Sequence, residues 1–253
     1  MVREERDGLR RYVHIGTGNY HPDTAQLYED LGYFTCREEL ASDVSDIFNL
    51  LTGYAPDQTF QKAFVAPNHL RNNITKLILE ETERAKNGKK GRIIAKMNSL
   101  EDPQIIEKLY EASQAGVKID LIVRGVCRLI PGKKELSKNI RVHSVIGRFL
   151  EHSRCYYFYH GGEEKYYIGS ADWMHRNLDA RVETLAPIED PDLKTYLKFM
   201  LNLYLKDGKQ RWMLQSNGVY KRIRNGKGTD PLGVQQHLME HTKALKTPIP
   251  RAK

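Results

Sequence analysis

The stretch from Gly91 to Val123 constrains the fold more than any other. An apolar run, Gly91–Met97, leads to Asp102-Pro103, a helix cap with proline at the first helical position; a helical apolar pattern follows until Gly116 stops it. A second apolar run, Val117–Val123, has the composition of a buried strand. Strand, helix and strand in this order are the signature of an α/β domain, and Arg124-Gly125 falls at the carboxyl end of the second strand, where open α/β sheets bind ligands.

The alternation continues on both sides. Phe60–Val65 reads as a strand, and Leu70, Ile74, Leu77 and Ile78 mark one helical face. Residues 131–139 read as a loop, and Arg141–Val145 as a short strand. Cys155–Tyr159 and Lys165–Ile168 are rich in Tyr and Phe and are joined by turn residues, which predicts a hairpin. Ala180–Ala186 predicts one more strand, and Leu193, Leu197, Met200, Leu201 and Tyr204 mark a closing helix. A basic, exposed stretch over Ser216–Asp230 precedes a last helix near Gly233–Leu245. The fold class is therefore α/β, with a mixed sheet flanked by helices.

The first fifty residues are less regular. A strand is predicted over Arg10–Gly16, after a turn-like Asp7-Gly8, as the second arm of a hairpin that lacks its first. On that reading the chain is a fragment. Pro22-Asp23-Thr24 reads as the start of a helix carrying Leu27 and Tyr28, and Leu40, Val44, Ile47, Phe48 and Leu51 as an amphipathic helix ending at Thr52-Gly53. Tyr54–Gln58 is a plausible boundary, dividing residues 1–57 from 58–253.

The formal net charge of +8 and pI of about 9.2 call for an anionic partner: nucleotide, nucleic acid, polyphosphate or anionic headgroup. Cys36, Cys127 and Cys155 are too few and too scattered for a disulfide framework or a zinc site, and read as reduced core thiols. No apolar run is long enough to span a membrane, and the charged N-terminus is unlike a signal peptide, so a cytoplasmic protein is expected.

Three phosphate and hydrolase templates are missing: G-x-x-x-x-G-K-[ST], H-E-x-x-H and G-x-S-x-G. The remaining chemistry gathers around the hairpin. His152 and Arg154, two residues apart in extended chain, share a face suited to an anion. The small-residue turn at Gly169-Ser170 could bring backbone N–H groups to a phosphate. Arg124 and Arg181 are further phosphate-binding candidates, Glu183 could accept the second N–H of His152, and Tyr28 lies near the Gly16-Thr-Gly-Asn19 turn. Taken singly, each has a plain structural explanation.

Together they carry a resemblance. His152-x-Arg154 followed by Gly169-Ser170-x-Asp172 resembles the H-x-K…G-S-x-N pattern of the phospholipase D superfamily, with Arg for Lys and Asp for Asn. More closely, "YVHIGTGNY", "DIFNLLTGY", "KMNSL", "LIVRGVCRLIPG", "FLEHSR" and "GSADWMHRNLDARVE" resemble, in order, the C-terminal region of the large bacterial polyphosphate kinases. The resemblance implies the tail of one phospholipase D-like domain (1–57) and a second such domain with a C-terminal helix (58–253). It implies reversible transfer of the terminal phosphoryl group of ATP to polyphosphate through a phosphohistidine whose His lies upstream of this chain, so that the chain alone is expected to be inactive. Magnesium is implied, with ligands expected upstream and no metal site here. ATP, ADP and polyphosphate are the implied partners, nucleic acid is not, and oligomerisation and membrane association of the full-length enzyme are left open. His152 matches the second motif's acid–base histidine, and Tyr28 and Arg124 match nucleotide-contacting positions. The phosphate-binding roles of Arg154, Ser170 and Arg181, and the orienting role of Glu183, rest on chemistry alone. The readings from other classes are a non-catalytic polyanion-binding module and a phosphodiesterase.

Overall fold

The computed structural model describes residues 1–53, 58–224, 226 and 228–244. The chain begins with β1 (Val2–Glu5), β2 (Gly8–Arg11) and β3 (Val13–Gly16), then the one-turn helix α1 (Pro22–Ala25), β4 (Tyr28–Glu29), β5 (Gly32–Thr35) and α2 (Glu38–Leu51). Next come β6 (Phe64–Val65), α3 (Leu70–Lys86), β7 (Arg92–Met97), α4 (Pro103–Ala115), β8 (Lys118–Val123) and β9 (Ile140–Val145). The two-residue β10 (Leu150–Glu151) precedes the hairpin of β11 (Cys155–Phe158) and β12 (Lys165–Gly169). A π-helical turn (Arg176–Ala180) leads to β13 (Thr184–Ile188), α5 (Pro191–Lys206), β14 (Arg211–Leu214), β15 (Tyr220–Arg222) and α6 (Val234–Ala244).

Nine strands form one mixed sheet in the order β15-β14-β9-β8-β7-β11-β12-β13-β6. β7, β8 and β9 run parallel, and every other neighbour in the sheet is antiparallel. The crossover from β7 to β8 is secured at both ends. The Asp102 carboxylate accepts the Ile105 N–H at 2.9 Å, and Gly116 ends α4 in the left-handed region at φ 106°, which only glycine adopts cheaply. Helices α3 and α4 bury Leu70, Ile74, Ile78, Ile105 and Leu109 against one face, while α2, α5 and α6 cover the other with Leu40, Ile47, Leu197, Leu201, Tyr204 and Val234. Trp173 is wholly buried on the first face, stacked on Tyr156 at 5.1 Å between ring centroids, and its indole N–H has no partner among the described residues.

Residues 1–53 join this body at several points. Asp43 of α2, fully buried, accepts the backbone N–H groups of Gln61, Lys62 and Ala63 at 2.8, 2.6 and 2.7 Å. Glu189 pairs with Lys62 at 2.7 Å and with Arg37 at 3.2 Å. β4 and β10 pair in parallel, Tyr28 opposite Leu150 and Glu29 opposite Glu151.

Five expectations are corrected. The first arm of the opening hairpin is present: β1 pairs with β2, and the predicted strand Arg10–Gly16 is split at Tyr12 because β3 pairs with β5 instead. Tyr28 is on a strand, not a helix; a four-residue α1 has no buried residue, whereas pairing with Leu150 satisfies the backbone of Tyr28. Residues 180–183 are not strand, because the π-helical turn occupies the start of the predicted run and β13 continues instead through Pro187, beyond the reach of the short β6. Of the cysteines, Cys155 is a buried core thiol pushed up to about 12 chiefly by burial, but Cys36 is exposed. The strand predicted over Phe60–Val65 is reduced to its last two residues, and residues 54–57 of the boundary, 225 and 227 of the basic stretch, and Leu245 lie outside the described residues.

Candidate active site

Alternation of side chains along extended backbone lays out the site. Where β4 and β10 run side by side, Glu29, Glu151 and Ser153 turn inward, toward Lys96 of β7. Tyr28, Asp30 and His152 turn the other way and meet. The His152 Nδ1 lies 2.9 and 3.0 Å from the two Asp30 oxygens, and the Tyr28 ring stands 4.8 Å from the imidazole, centroid to centroid. Donation of Nδ1–H to Asp30 leaves the lone pair on Nε2, which Arg154 Nη1 faces at 3.2 Å. The side chains of His152 and Asp30 are 13% and 25% exposed, so the dyad is largely covered, with Asp30 the more accessible partner.

His152 and Arg154 do share a face, with Arg154 Nη1 at 3.2 Å from the imidazole Nε2. Arg154, however, is buried and largely committed: Nε and Nη2 bond the Asp172 carboxylate at 3.3 and 3.1 Å, and Nη1 donates to the carbonyls of Thr17 and His152. The two departures from the H-x-K…G-S-x-N pattern are thus partners in one ion pair. This corrects the expectation that Arg154 is chiefly a phosphate ligand. Asp172 also accepts the Asn98 backbone N–H at 2.6 Å.

Asn98 is the hub that sequence reading missed. Its amide donates to the His152 carbonyl at 3.1 Å, and its Oδ1 accepts from Arg124 Nε and Nη2 at 3.0 and 2.8 Å. Arg124, half-buried just past β8, is therefore linked through Asn98 to the His152 backbone, and its Nη1 has no partner among the described residues. A signal existed: Asn98 and Arg124 follow adjacent parallel strands at their carboxyl ends.

The other candidates fall differently. The Ser170 N–H bonds the Thr184 carbonyl at 3.0 Å, and its hydroxyl accepts the Thr184 N–H at 3.2 Å, so the Gly169-Ser170 turn is spent on sheet pairing rather than left open to a phosphate. Gly169 is required there for another reason, since a Cβ would stand 1.9 Å from the Thr184 carbonyl oxygen. Glu183 is buried, accepts from the Asn177 amide, and does not hold His152; Asp30, brought close by the β4–β10 pairing, occupies Nδ1 instead. Glu183 stays in the same corner, for it acts with Asp172 on the Tyr156 phenol, whose pKa burial drives well above the usual value. Arg181 is exposed, with no side-chain partner among the described residues. A cavity of about 520 Å³ opens beside Tyr28 and Asp30, lined also by Phe149, Tyr196 and Leu238.

The three-donor group found among the described residues does not fit the implied magnesium. Among the described residues one group of three donors converges, Asp102, His175 and Asp179, and the Arg71 guanidinium already bridges its two carboxylates. A cation in that position leaves no place for a metal ion.

Comparison with known proteins identifies the family. Residues 1–57 match the model of polyphosphate kinase C-terminal domain 1, and residues 63–235 that of polyphosphate kinase C-terminal domain 2. A polyphosphate kinase of Thermosynechococcus vestitus is 54% identical over 242 residues, 96% of this chain and 33% of that protein. One from Synechocystis sp. is 57% identical over 224 residues, 88% of this chain and 31% of that protein. The chain thus spans about a third of the length of these curated relatives. The crystal structure of polyphosphate kinase from Porphyromonas gingivalis superposes with a TM-score of 0.88 at 37% identity, covering 93% of this chain and 36% of that one. With both family models matched in order along its length, the chain belongs to the polyphosphate kinase family, as its C-terminal region.

Proposed function

We propose that this chain supplies the acid–base half of a polyphosphate kinase active site, in which the terminal phosphoryl group of ATP passes reversibly to polyphosphate by way of a phosphohistidine on an upstream segment. The observation that carries the reading is the placement of His152: Nδ1 engaged by Asp30, Nε2 faced by Arg154 Nη1 at 3.2 Å, and the His152 backbone tied to Arg124 through the Asn98 amide. In the forward reaction Nε2–H gives a proton to the oxygen that leaves phosphorus, and in the reverse the neutral imidazole takes it back. Arg124 steadies the phosphate charge with its free N–H groups, Arg181 adds an exposed cation, and the Tyr28 ring offers a face to the nucleotide. Arg154 contributes mainly by fixing the imidazole.

Residues 1–57 would be the end of one phospholipase D-like domain and 58–253 a second, facing it; the H-x-R and G-S-x-D segments support that reading. Magnesium would be held by upstream residues. A cytoplasmic location is consistent with the finding that no described helix is long and apolar enough to cross a membrane.

The test uses a full-length relative with this C-terminal region exchanged in. His152→Ala should lower ATP formation from ADP and polyphosphate by about 10²–10⁴-fold, the range of a positioned acid–base group. Undiminished turnover rejects the role. Phosphodiester cleavage by the same protein would support the phosphodiesterase reading instead, and tight polyphosphate binding without turnover a binding module.

A further inference from the structure

Lys96 is fully buried in a cluster that the proposed chemistry does not use. Its ammonium has three N–H groups and meets three side-chain acceptors: Glu29 at 3.0 Å, Glu151 at 3.1 Å and the Ser153 hydroxyl at 2.8 Å. Each acceptor adjoins a residue of the candidate site. Glu29 lies between Tyr28 and Asp30, and Glu151 and Ser153 flank His152. The Ser153 hydroxyl also donates to Glu29, at 2.7 Å, closing a ring across the two segments. Glu151 is held further by the Tyr204 hydroxyl at 2.6 Å and the Gln235 amide at 2.7 Å, which ties in α5 and α6.

The β4–β10 ladder is two residues long, too short to fix the relative position of two segments 122 residues apart in sequence. We propose that Lys96 is a positioning residue: by gripping the inward side chains of both segments, it sets the distance and angle between Asp30 and His152 on the outward side. The inference rests on the reading of His152 as the reacting imidazole. A one-ångström error in such a placement is costly to a proton transfer, so the grip acts on rate while touching no ligand.

The chain labelled with ¹⁵N-histidine provides the test. An imidazole N–H signal that disappears in His152→Gln and shifts in Asp30→Asn identifies the Nδ1 proton on Asp30. The double variant Lys96→Met/Glu29→Gln removes the cation and one carboxylate together and leaves Glu151 bonded to the Tyr204 hydroxyl and the Gln235 amide. In that variant, with far-UV circular dichroism unchanged, exchange of the His152 N–H should be at least tenfold faster, and Lys96→Arg should restore part of the protection. Ser153→Ala, which keeps every charge, should change exchange in the same direction by a smaller factor, and decides the matter if the double variant does not fold. Unchanged exchange in the folded double variant, or in Ser153→Ala where that decides, overturns the positioning role while leaving the site reading intact. If no wild-type signal responds to Asp30→Asn, the dyad itself is wrong and the inference goes with it.

Discussion

Two buried charged clusters lie on the same face of the parallel strands, at opposite ends, with inverted composition. Near the carboxyl end of β7, one cation, Lys96, is shared by two carboxylates. Toward the amino ends, one carboxylate, Asp120, is shared by Arg92, Arg141 and His143, from β7 and β9 on either side. Burial works against the charge on Lys96, yet the attraction of Glu29 and Glu151 carries its pKa above the ordinary lysine value, while burial pushes Glu151 up toward its neutral form. Burial also opposes the charge on Asp120, but hydrogen bonds from His143 and Arg141 hold it well below the usual carboxylate range. Every partner of Asp120 among the described residues is a neighbour within the sheet, so the cluster reinforces strands the ladder has already placed. The partners of Lys96 come from segments the ladder barely touches. The same kind of interaction is redundant at one end and organising at the other.

The contrast can be broken by removing each central charge. Lys96→Met leaves the buried Glu151 and the half-buried Glu29 without their cation and should cost about 3–5 kcal/mol at pH 7 by urea denaturation. Asp120→Asn should cost less, about 1.5–3 kcal/mol, because Arg141 is 59% exposed and can turn to water. Equal losses would remove the distinction. Arg124→Ala sharpens it from the functional side: pyrophosphate binding to the chain should weaken by about 1.5 kcal/mol, with thermal stability unchanged.

The smallest effect is in pH dependence, where the clusters have opposite signs. Glu151, raised in the folded state, contributes stability that is complete below about 4.5 and is lost as pH rises through its folded value. His143, lowered mainly by burial, contributes stability that is complete above about 6.5 and lost as pH falls through its folded value, and Asp120 follows the same sign below about 3.8. Melting temperatures from pH 4 to 8 should therefore lose their decline on the alkaline side in Glu151→Gln, and part of the decline below pH 6.5 in His143→Gln. A variant whose profile changes on the other side contradicts the assignment.

What the sequence made legible follows the same division. β7, α4 and β8 could be read because their signals are local: an Asp-Pro start, a glycine stop and apolar runs of strand length. Tyr28 was misplaced because a two-residue strand has no period, and its partner is Leu150. His152, Arg124 and Tyr28 were found as candidates, but the Asp30 dyad, the Asn98 hub and the Lys96 grip were not, since each depends on contacts between distant segments. Arg154 misled for a related reason: the motif placed it next to His152, and only the fold revealed Asp172 closing over its guanidinium.

The stacking of Trp173 on Tyr156 gives the molecule a built-in optical gauge. The chain has two tryptophans; Trp212, on β14, is partly exposed, whereas Trp173 is wholly shielded and its indole N–H lacks a polar partner. Trp173 should emit at shorter wavelength and resist iodide, which would silence Trp212 first. What remains under the quencher comes from the residue next to Asp172, the carboxylate that holds both Arg154 and Asn98, so an anion drawing Arg124 away from Asn98 would register as a change in the colour of a single buried ring.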